Sequence, residues 1–340
     1  MKPYAHYIGI DISKDALDVA IWKGDKPICQ VFSNSKAGLQ TLIKWMRDNK
    51  LEPSATLFCC ENTGLYTRAL TAFCLINQWT LWVEHPDQIR LSKGMTRGKS
   101  DAIDAADIAE YAWRFQDKAQ LYCPEDEHFQ ALGDLVALRR RLLQCLQALQ
   151  VPVNEIEKTN PKQAKLLRGL SKSSRAAIEK DLDKVDAQIQ ELIDADPNLK
   201  PRADLIRSVP GAGPVLTAYL LYVTKGFTRL TDPRKLACYA GIAPFPHQSG
   251  SSIRGKERVS HKANKRLKTL LHMSAVSLTQ HKEFKTWYKA KKELKKPSMS
   301  ILNALKNKLI HRICAVVARG TPYLPPAEFS KAKENSVAAA

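Results

Sequence analysis

The sequence predicts an α/β domain followed by long helices and a mainly helical C-terminal domain, and three observations support this fold class. Strand and helix patterns alternate over the first hundred residues in the order β-β-β-α-β-α-β-α. Two series of apolar residues then recur every three or four positions, which is typical of long, packed helices. Hydrophobic residues make up 44% of the 340-residue chain, which is enough for roughly two cores and too many for a disordered protein.

Five short apolar runs predict the strands of the first domain. They cover residues 7–11, 16–22, 28–32, 56–60 and 80–83, with a hairpin turn at Gly24. Helical spacing predicts helices over residues 36–49 and 65–76, and a third helix that starts near Asp101 with Ser100 as its N-cap. We expect residues 84–100 to form a basic loop.

The middle of the chain predicts two long helices, each with a heptad seam. The seams are formed by Leu135, Leu138, Leu142, Cys145 and Leu149, and by Ile178, Leu182, Val185, Ile189 and Leu192. Pro152 and Pro161 are expected to break the chain between them. The pattern fits an antiparallel coiled-coil arm, an intermolecular coiled coil or a plain helical core. Further on, the Pro-Gly-Ala-Gly-Pro loop at residues 210–214 resembles a helix-hairpin-helix element, whose loop amides can hold a phosphate.

Basic charge is concentrated towards the C-terminus. Lys and Arg number 53 against 34 Asp and Glu, a net charge of +19, and residues 251–312 contain 17 basic and three acidic residues. Such a segment favours a nucleic-acid partner, because neutralised phosphates release counterions. A solvated basic face is the alternative.

Other features of the sequence predict a cytoplasmic protein without a membrane partner. No uncharged apolar run reaches the roughly 18 residues of a membrane span. The first residues lack a signal-peptide pattern and lead directly into a strand pattern. The eight cysteines are scattered without a C-x-x-C pair, which predicts reduced thiols rather than disulfides or a zinc site.

Four acidic residues stand where predicted strands end and a helix begins. Asp11 ends the first strand, Glu61 follows the fourth, and Asp101 and Asp104 share one face of the third helix. If the first and fourth strands are neighbours and the helix crosses them, the four carboxylates meet. Crowded carboxylates need a counter-charge, and hard oxygen ligands select Mg²⁺ or Mn²⁺. Two such ions about 4 Å apart support phosphoryl transfer.

The alternative for each acid is an N-cap or a surface charge. Three further acids near these positions are expected to lie on the surface. They are Asp15, Asp18 and Asp107.

The segments GIDISKD, CCENTGLY and KSDAIDAADIAEYA resemble the acidic motifs of DEDD-type insertion-sequence transposases, relatives of the Piv DNA invertases. SVPGAGPVLTAYLL and LACYAGIAPFPHQSGSSIRGK resemble that family's C-terminal transposase domain. The resemblance covers about residues 7–112 and 206–275. It implies a RuvC-like domain with a ribonuclease-H fold over residues 1–120, a helical coiled-coil linker over 121–200, a transposase domain over 201–325 and a disordered tail over 326–340.

The resemblance implies a transposase that cuts and exchanges DNA strands through a covalent phosphoserine link. The four acids would bind Mg²⁺, and a serine would attack the DNA phosphodiester. By its place in the Q-S-G motif this serine is Ser249, although Ser251 and Ser252 follow closely and remain open. A serine hydroxyl is a weak nucleophile unless a base or a metal activates it. The residues expected to contact nucleic acid are Arg90, Lys93, Arg97, Lys99, Arg254, Lys256, Arg258, Lys262, Lys265 and Arg266.

The resemblance also implies partners. A structured non-coding guide RNA would pair with target and donor double-stranded DNA, so that base pairing reads the sequence. Dimers would assemble into tetramers on the nucleoid of a prokaryote.

Three other functions remain open from the residues alone. A metal-only nuclease, such as a Holliday-junction resolvase, would need the acids and no serine. An actin-like ATPase or sugar kinase would need a later Gly-rich phosphate loop, which the sequence lacks. A non-enzymatic nucleic-acid-binding module would leave the acids unexplained.

Overall fold

The computed structural model describes residues 4–24, 26–93, 100–124, 126–249, 253–260 and 262–325. Contacts divide the chain into two units, Met1–Glu125 and Asp126–Ala340. Each unit has its own hydrophobic core. The finer division into a first domain, a linker and a transposase domain stays a prediction. Within the described residues, no helix has the length and apolar character needed to cross a membrane.

A five-stranded mixed sheet forms the centre of the first unit. Its strands are β1 (His6–Ile12), β2 (Ala16–Ile21), β3 (Ile28–Ser33), β4 (Thr56–Glu61) and β5 (Thr80–Glu84). They lie in the order β3-β2-β1-β4-β5. The first three strands pair antiparallel, whereas β4 lies parallel to both β1 and β5. All five predicted strands are confirmed, and β1 and β4 are neighbours as expected.

Four helices accompany this sheet. They are α1 (Lys36–Asp48), α2 (Arg68–Ile76), α3 (Pro86–Ser92) and α4 (Asp101–Arg114). A 3₁₀ turn at Gly64–Thr67 precedes α2, so the first turn of the predicted helix is tighter than expected. Ser100 caps α4, as predicted, because its side chain accepts a hydrogen bond from the backbone N–H of Ile103.

The prediction of a loop over residues 84–100 is wrong for its first part, which forms α3. Pro86 occupies the first helical position, where its fixed φ suits a helix and its missing N–H costs nothing. The His85 ring accepts a hydrogen bond from the backbone N–H of Asp87 and caps this helix.

Helix α4 packs closely on β1 and β2 through small residues. Ala20, Ala105 and Ala109 are buried between helix and sheet. A Cβ atom at Gly9 would lie 2.2 Å from the carbonyl oxygen of Ala105 and 2.2 Å from the amide nitrogen of Ala109. Since neither backbone atom can give way, Gly9 fixes how closely α4 approaches β1.

The described part of the second unit consists of helices and one β-hairpin. The helices are α5 (Glu127–Glu157), α6 (Pro161–Leu170), α7 (Lys172–Ala195), α8 (Leu199–Ser208), α9 (Pro214–Thr224), α10 (Pro233–Tyr239), α11 (Lys265–Leu278), α12 (Lys282–Glu293) and α13 (Ser298–Arg319). The hairpin pairs β6 (Pro244–Ser249) with β7 (Ile253–Val259) antiparallel. The sequence did not predict the hairpin, because the prolines and the missing apolar alternation of β6 hide a strand.

The long helices α5 and α7 pack against each other in opposite directions. The Arg139 guanidinium binds Asp186 through Nε and Nη2, and at the far end of α5 Glu157 pairs with Arg168, just before α7. Pro161 starts α6 between them, as expected of a helix breaker. A coiled coil in the strict sense stays a prediction.

The expected break at Pro152 is wrong, because this proline lies inside α5. Leu146 and Val153 are buried on either side of it and hold the helix against its neighbours despite the lost hydrogen bond. The seam on α5 is confirmed in part, since Leu135 and Leu142 pack against the core whereas Leu138 and Cys145 are exposed. The apolar residues of α5 are numerous enough to form two possible stripes along the helix. The buried stripe in the structure includes Leu146. On α7 the predicted seam is confirmed for Leu182, Val185 and Ile189, which are buried.

One core joins the long helices to the C-terminal helices of this unit. It includes Leu132, Ile189, Leu220, Leu271 and Ile310. Helices α8 and α9 lie in it, joined by residues 209–213, which gives the helix–loop–helix arrangement predicted from the sequence. All eight cysteines are unpaired in the structure.

Candidate metal centre and nucleic-acid contacts

Three acids of the first unit meet at the end of β1 and the start of α4. One carboxylate oxygen from each of Asp11, Asp101 and Asp104 lies within 4.8 Å of the other two. Asp11 is at the end of β1, and the other two belong to the first turn of α4. The close packing at Gly9 brings these remote parts of the chain together. The cluster is therefore a consequence of the tertiary fold.

Glu61 lies beside this cluster rather than within it. It ends β4, the parallel neighbour of β1, and is therefore at the same edge of the sheet as Asp11. Burial raises the pKa of Glu61, and the charges of Asp11 and Asp104 raise it further, whereas Lys93 lowers it. These interactions place Glu61 within the electrostatic field of Asp11 and Asp104.

Asp11 is surrounded by negative charge. Its pKa is raised by burial first, then by Asp104, Asp101 and Asp18, and a backbone hydrogen bond from Ile12 opposes the shift. Asp18 faces Asp11 across the β1–β2 pair, so both side chains point to the same face of the sheet. The pKa of Asp18 is raised as well, by burial and by Asp101.

The surface positions expected for three acids are only partly correct. Asp15 is exposed, as predicted. Asp18 is half-buried, because the antiparallel register places it opposite Asp11. Asp107 is half-buried too, since it lies one helical turn after Asp104 and binds the same lysine.

Lys93 is the counter-charge of this region. Its Nζ lies 2.9 Å from Oδ1 of Asp104 and 3.0 Å from Oδ2 of Asp107, and 15% of its side chain is exposed. Burial opposes the charge of Lys93, but the two hydrogen bonds prevail and raise its pKa. Expected to contact nucleic acid from a loop, Lys93 instead follows α3 and lies against the acids. This role could not be predicted from the sequence, because α3 was not predicted.

A divalent cation suits the residues that are present. Oxygen ligands are the type that Mg²⁺ and Mn²⁺ prefer, and three of them lie close together. Among the described residues, Lys93 is a single positive charge beside six acids, which are Asp11, Asp18, Glu61, Asp101, Asp104 and Asp107. A bound cation would relieve the repulsion that raises the pKa of Asp11.

Ser249 is the last residue of β6. Its backbone pairs with Ile253, so it lies at the tip of the hairpin. Its side chain is not described, and the two alternative serines, Ser251 and Ser252, lie outside the described residues.

The basic residues expected to contact nucleic acid differ in their surroundings. Arg90 is exposed and pairs with Asp87 at 3.0 Å. Arg258, Lys262 and Lys265 are exposed, whereas Arg266 is half-buried. The remaining predicted contacts cannot be placed. Arg97 and Lys99 lie outside the described residues, as do the side chains of Arg254 and Lys256, whose backbone forms part of β7.

Comparison with protein families decides the class of this chain. Residues 8–156 match a transposase family of the DEDD type found in IS110 elements. Residues 203–289 match the transposase family of IS116, IS110 and IS902 elements. The chain belongs to this transposase family. Both predicted halves of the resemblance are thus confirmed, and the four acids fall within the first match.

Individual relatives agree with this family. The pilin gene-inverting proteins of Moraxella lacunata and Moraxella bovis are each 27% identical over 329 residues, which cover 93% of this chain and 97% of the relative. A 43.6 kDa protein of insertion element IS110 from Streptomyces coelicolor is 33% identical over 153 residues, 44% of this chain and 36% of the relative. Membership of a transposase family makes the chain a DNA transposase or recombinase, as predicted, and decides against a kinase or ATPase.

Proposed function

We propose that this transposase cuts and exchanges DNA strands with a divalent cation bound by its acids and with Ser249 as the nucleophile. The observation that carries the metal-dependent part is the meeting of Asp11, Asp101 and Asp104 within 4.8 Å. We further propose that the first unit has the RuvC-like, ribonuclease-H fold that the resemblance implies. The mixed sheet with adjacent β1 and β4, crossed by α4, supports this fold.

In the proposed reaction the acids bind the cation and fix its position. Asp11, Asp101 and Asp104 provide the closest oxygen ligands, and Glu61 lies at the same sheet edge to complete the set. Mg²⁺ or Mn²⁺, when bound, polarises phosphoryl oxygens and lowers the pKa of a hydroxyl group. Lys93 binds Asp104 and Asp107 by one hydrogen bond each and so fixes the orientation of the proposed ligand Asp104.

The proposed serine step exchanges one phosphoester bond for another. The Oγ atom of Ser249 forms a bond to phosphorus, and the bond from phosphorus to one deoxyribose oxygen breaks. The serine proton passes to a base, and the leaving oxygen takes up a proton as a hydroxyl group. Because the number of phosphoester bonds is unchanged, the reverse attack by a different strand end completes the exchange without an energy source.

The proposed partners are double-stranded target and donor DNA and a structured guide RNA. The 17 basic residues between positions 251 and 312 support a nucleic-acid partner. The name of the Moraxella relatives, which says that they invert a pilin gene, supports a reaction on DNA. The guide RNA and the assembly of dimers into tetramers rest on the family resemblance alone.

Trapping a covalent protein–DNA link tests this proposal. The protein is purified with any RNA that accompanies it, then mixed with Mg²⁺ and labelled DNA that contains the element junction and a target. We expect a labelled band that survives denaturation for the wild type. Ser249→Ala and Asp11→Asn should abolish it. Ser300→Ala and Asp15→Asn, which change an exposed serine and an exposed acid elsewhere, should retain it.

The other outcomes each identify a different error. An adduct that persists in Ser249→Ala moves the nucleophile to Ser251 or Ser252. DNA that is cut without any adduct contradicts the serine step and favours a metal-only nuclease of the resolvase type. An adduct that forms equally well in EDTA contradicts the role of the acids.

A further inference from the structure

A cavity of about 100 Å³ lies among the helices of the second unit. It is bounded by residues of α5, α7, α8, α9 and α11. Most of its lining is apolar, but three guanidinium groups converge on it, those of Arg139, Arg207 and Arg266. This convergence is unusual, because buried cations are ordinarily paired with acids.

The acidic side chains at the cavity do not balance these charges. Asp186 lines it and binds Arg139, with contacts to Nε and to Nη2. Arg207 has a neutral partner there, since its Nη2 donates a hydrogen bond to Oε1 of Gln190 at 2.5 Å. Of the three guanidinium groups, only one therefore has an acid of the cavity lining as its partner.

Two donors at the cavity lack partners. The Nε atoms of Arg207 and Arg266 are buried, and no hydrogen-bond acceptor for either lies within the part of the chain that the structure describes. Burial lowers the pKa of Arg266, and the neighbouring charges of Arg139 and Arg140 lower it further. Arg207 and Arg266 have no acid of the cavity lining as a partner, so an anion in the cavity would offset their charge.

The start of α9 adds a second attraction for an anion. Pro214 and Val215, in its first turn, line the cavity, and the N-cap residue Gly213 provides no side-chain cap. The first N–H groups of a helix lack partners within it and carry a partial positive charge. Helix N-termini combined with arginines are a common arrangement for holding phosphate.

We propose that this cavity, lined by Arg139, Arg207, Arg266 and the start of α9, binds a phosphate group of a nucleic-acid backbone. A phosphate carries its charge on several acceptor oxygens, which suits the three guanidinium groups at the cavity and the N–H group of Val215 at the helix start. Arg140 and Lys265, which adjoin Arg139 and Arg266 in the sequence, are exposed and add positive charge to the same two helices. Successive phosphates of one backbone can contact the cavity and these exposed side chains. The assignment of this phosphate to a nucleic acid rests on the proposed function.

Thermal unfolding in the presence of inorganic phosphate tests the cavity itself. Phosphate at about ten times its Kd should raise the Tm of the wild type by about 2–4 °C. Arg207→Gln and Arg266→Gln should lose this shift while keeping a cooperative transition. Arg234→Gln, which removes an exposed arginine from α10, should keep the full shift. Sulfate serves as a second probe of similar shape, and acetate tests whether any small anion suffices.

Binding of short DNA and RNA oligonucleotides tests the assigned source. Affinity is measured by fluorescence anisotropy over 50–200 mM salt. Loss of one phosphate contact should weaken binding for all sequences and reduce the slope of log K against log salt by about 1. We expect this change for Arg266→Gln and Arg207→Gln and a smaller one for Arg234→Gln.

The outcomes separate this inference from the proposed function. If phosphate still raises the Tm of Arg266→Gln and Arg207→Gln, the site is overturned. If the variants lose the rise in Tm but keep the wild-type slope of log K against log salt, the nucleic-acid source is overturned. An equal rise in Tm with acetate also overturns this source. The covalent adduct is a separate measurement. If the adduct forms while the arginine variants bind oligonucleotides like the wild type, only this inference fails. If the adduct never forms while the arginine variants lose oligonucleotide affinity, only the recombinase proposal fails.

Discussion

The acidic cluster of the first unit and the arginine cavity of the second are opposite in charge and similar in design. Each collects like charges that are partly buried, and in the described part of the chain each has one paired counter-charge, Lys93 in the cluster and Asp186 in the cavity. Neither arrangement helps the fold, because crowded like charges raise the free energy of the folded chain. The comparison indicates two ligands of opposite sign, a cation for the cluster and a phosphate for the cavity.

The two sites differ in how the chain builds them. The cluster depends on one close contact between a helix and a sheet, which Gly9 permits. The cavity depends on side chains from several helices of one continuous core. We therefore expect single substitutions to affect the cluster more sharply than the cavity.

The largest expected effect separates two acids that share one lysine. Asp104→Asn should reduce the rate of Mg²⁺-dependent strand cleavage by at least about 1,000-fold. The reason is that a metal ligand of this kind stabilises the transition state by about 4 kcal/mol or more. Asp107→Asn should reduce it by less than about tenfold, since Asp107 binds Lys93 but lies outside the 4.8 Å cluster. Cleavage rates under single-turnover conditions provide the comparison. Equal losses would show that both acids act only through Lys93.

A methyl group at Gly9 should separate the helix from the sheet. Gly9→Ala places a carbon atom 2.2 Å from two backbone atoms of α4, so the helix must move away. We expect a loss of about 3 kcal/mol in the free energy of unfolding, together with weaker Mn²⁺ binding. Gly169→Ala is the control in the other unit, because a Cβ atom there would have open space around it on α6, and it should be stabilising by about 0.5–1 kcal/mol. Urea denaturation measures both, and an unchanged Gly9→Ala would contradict the close packing.

Replacing the counter-charge should destabilise the metal-free protein. Lys93→Gln leaves Asp104 and Asp107 half-buried without their cation, which should cost about 2 kcal/mol, between the values for exposed and buried ion pairs. Lys184→Gln breaks an exposed pair with Asp181 on α7 and should change stability less. Unfolding in EDTA gives the difference. A stabilised Lys93→Gln would contradict the role of Lys93 as counter-charge.

The smallest predicted effect concerns pH. The pKa of Asp11 is raised in the folded protein, so ionisation of Asp11 disfavours folding. The stabilisation by protonated Asp11 is fully present below about pH 3.8, the pKa of this residue in the unfolded chain. It is lost as the pH rises through the higher pKa of Asp11 in the folded protein. In EDTA, Asp11→Asn should therefore be slightly more stable than the wild type at pH 7, and the two should converge near pH 3.5. A variant less stable than the wild type at pH 7 would contradict the repulsion.

The sequence predicted the parts of the cluster that follow from local pattern. Asp11 and Glu61 end apolar runs, and Asp101 and Asp104 are three positions apart on one helix, so strand ends and helical periodicity sufficed. The adjacency of β1 and β4 was an assumption that the strand order confirms.

Other features depend on tertiary contacts that local patterns do not contain. Asp18 joins the acids only through the register of β1 and β2, and Lys93 only because α3 turns it towards α4. The proline inside α5 is tolerated because of packing on both sides of Pro152. The arginine cavity combines residues from distant helices, and of its three arginines only Arg266 was singled out, for its charge alone.

The central claim, that the three aspartates bind a divalent cation, is tested most directly by crystals grown with Mn²⁺ and measured at the manganese absorption edge. We predict an anomalous peak within about 2.5 Å of carboxylate oxygens from Asp11, Asp101 and Asp104. The peak should vanish in Asp104→Asn crystals and persist in Asp107→Asn crystals. A wild-type map without a peak at these aspartates, at a Mn²⁺ concentration that supports cleavage, would contradict the account.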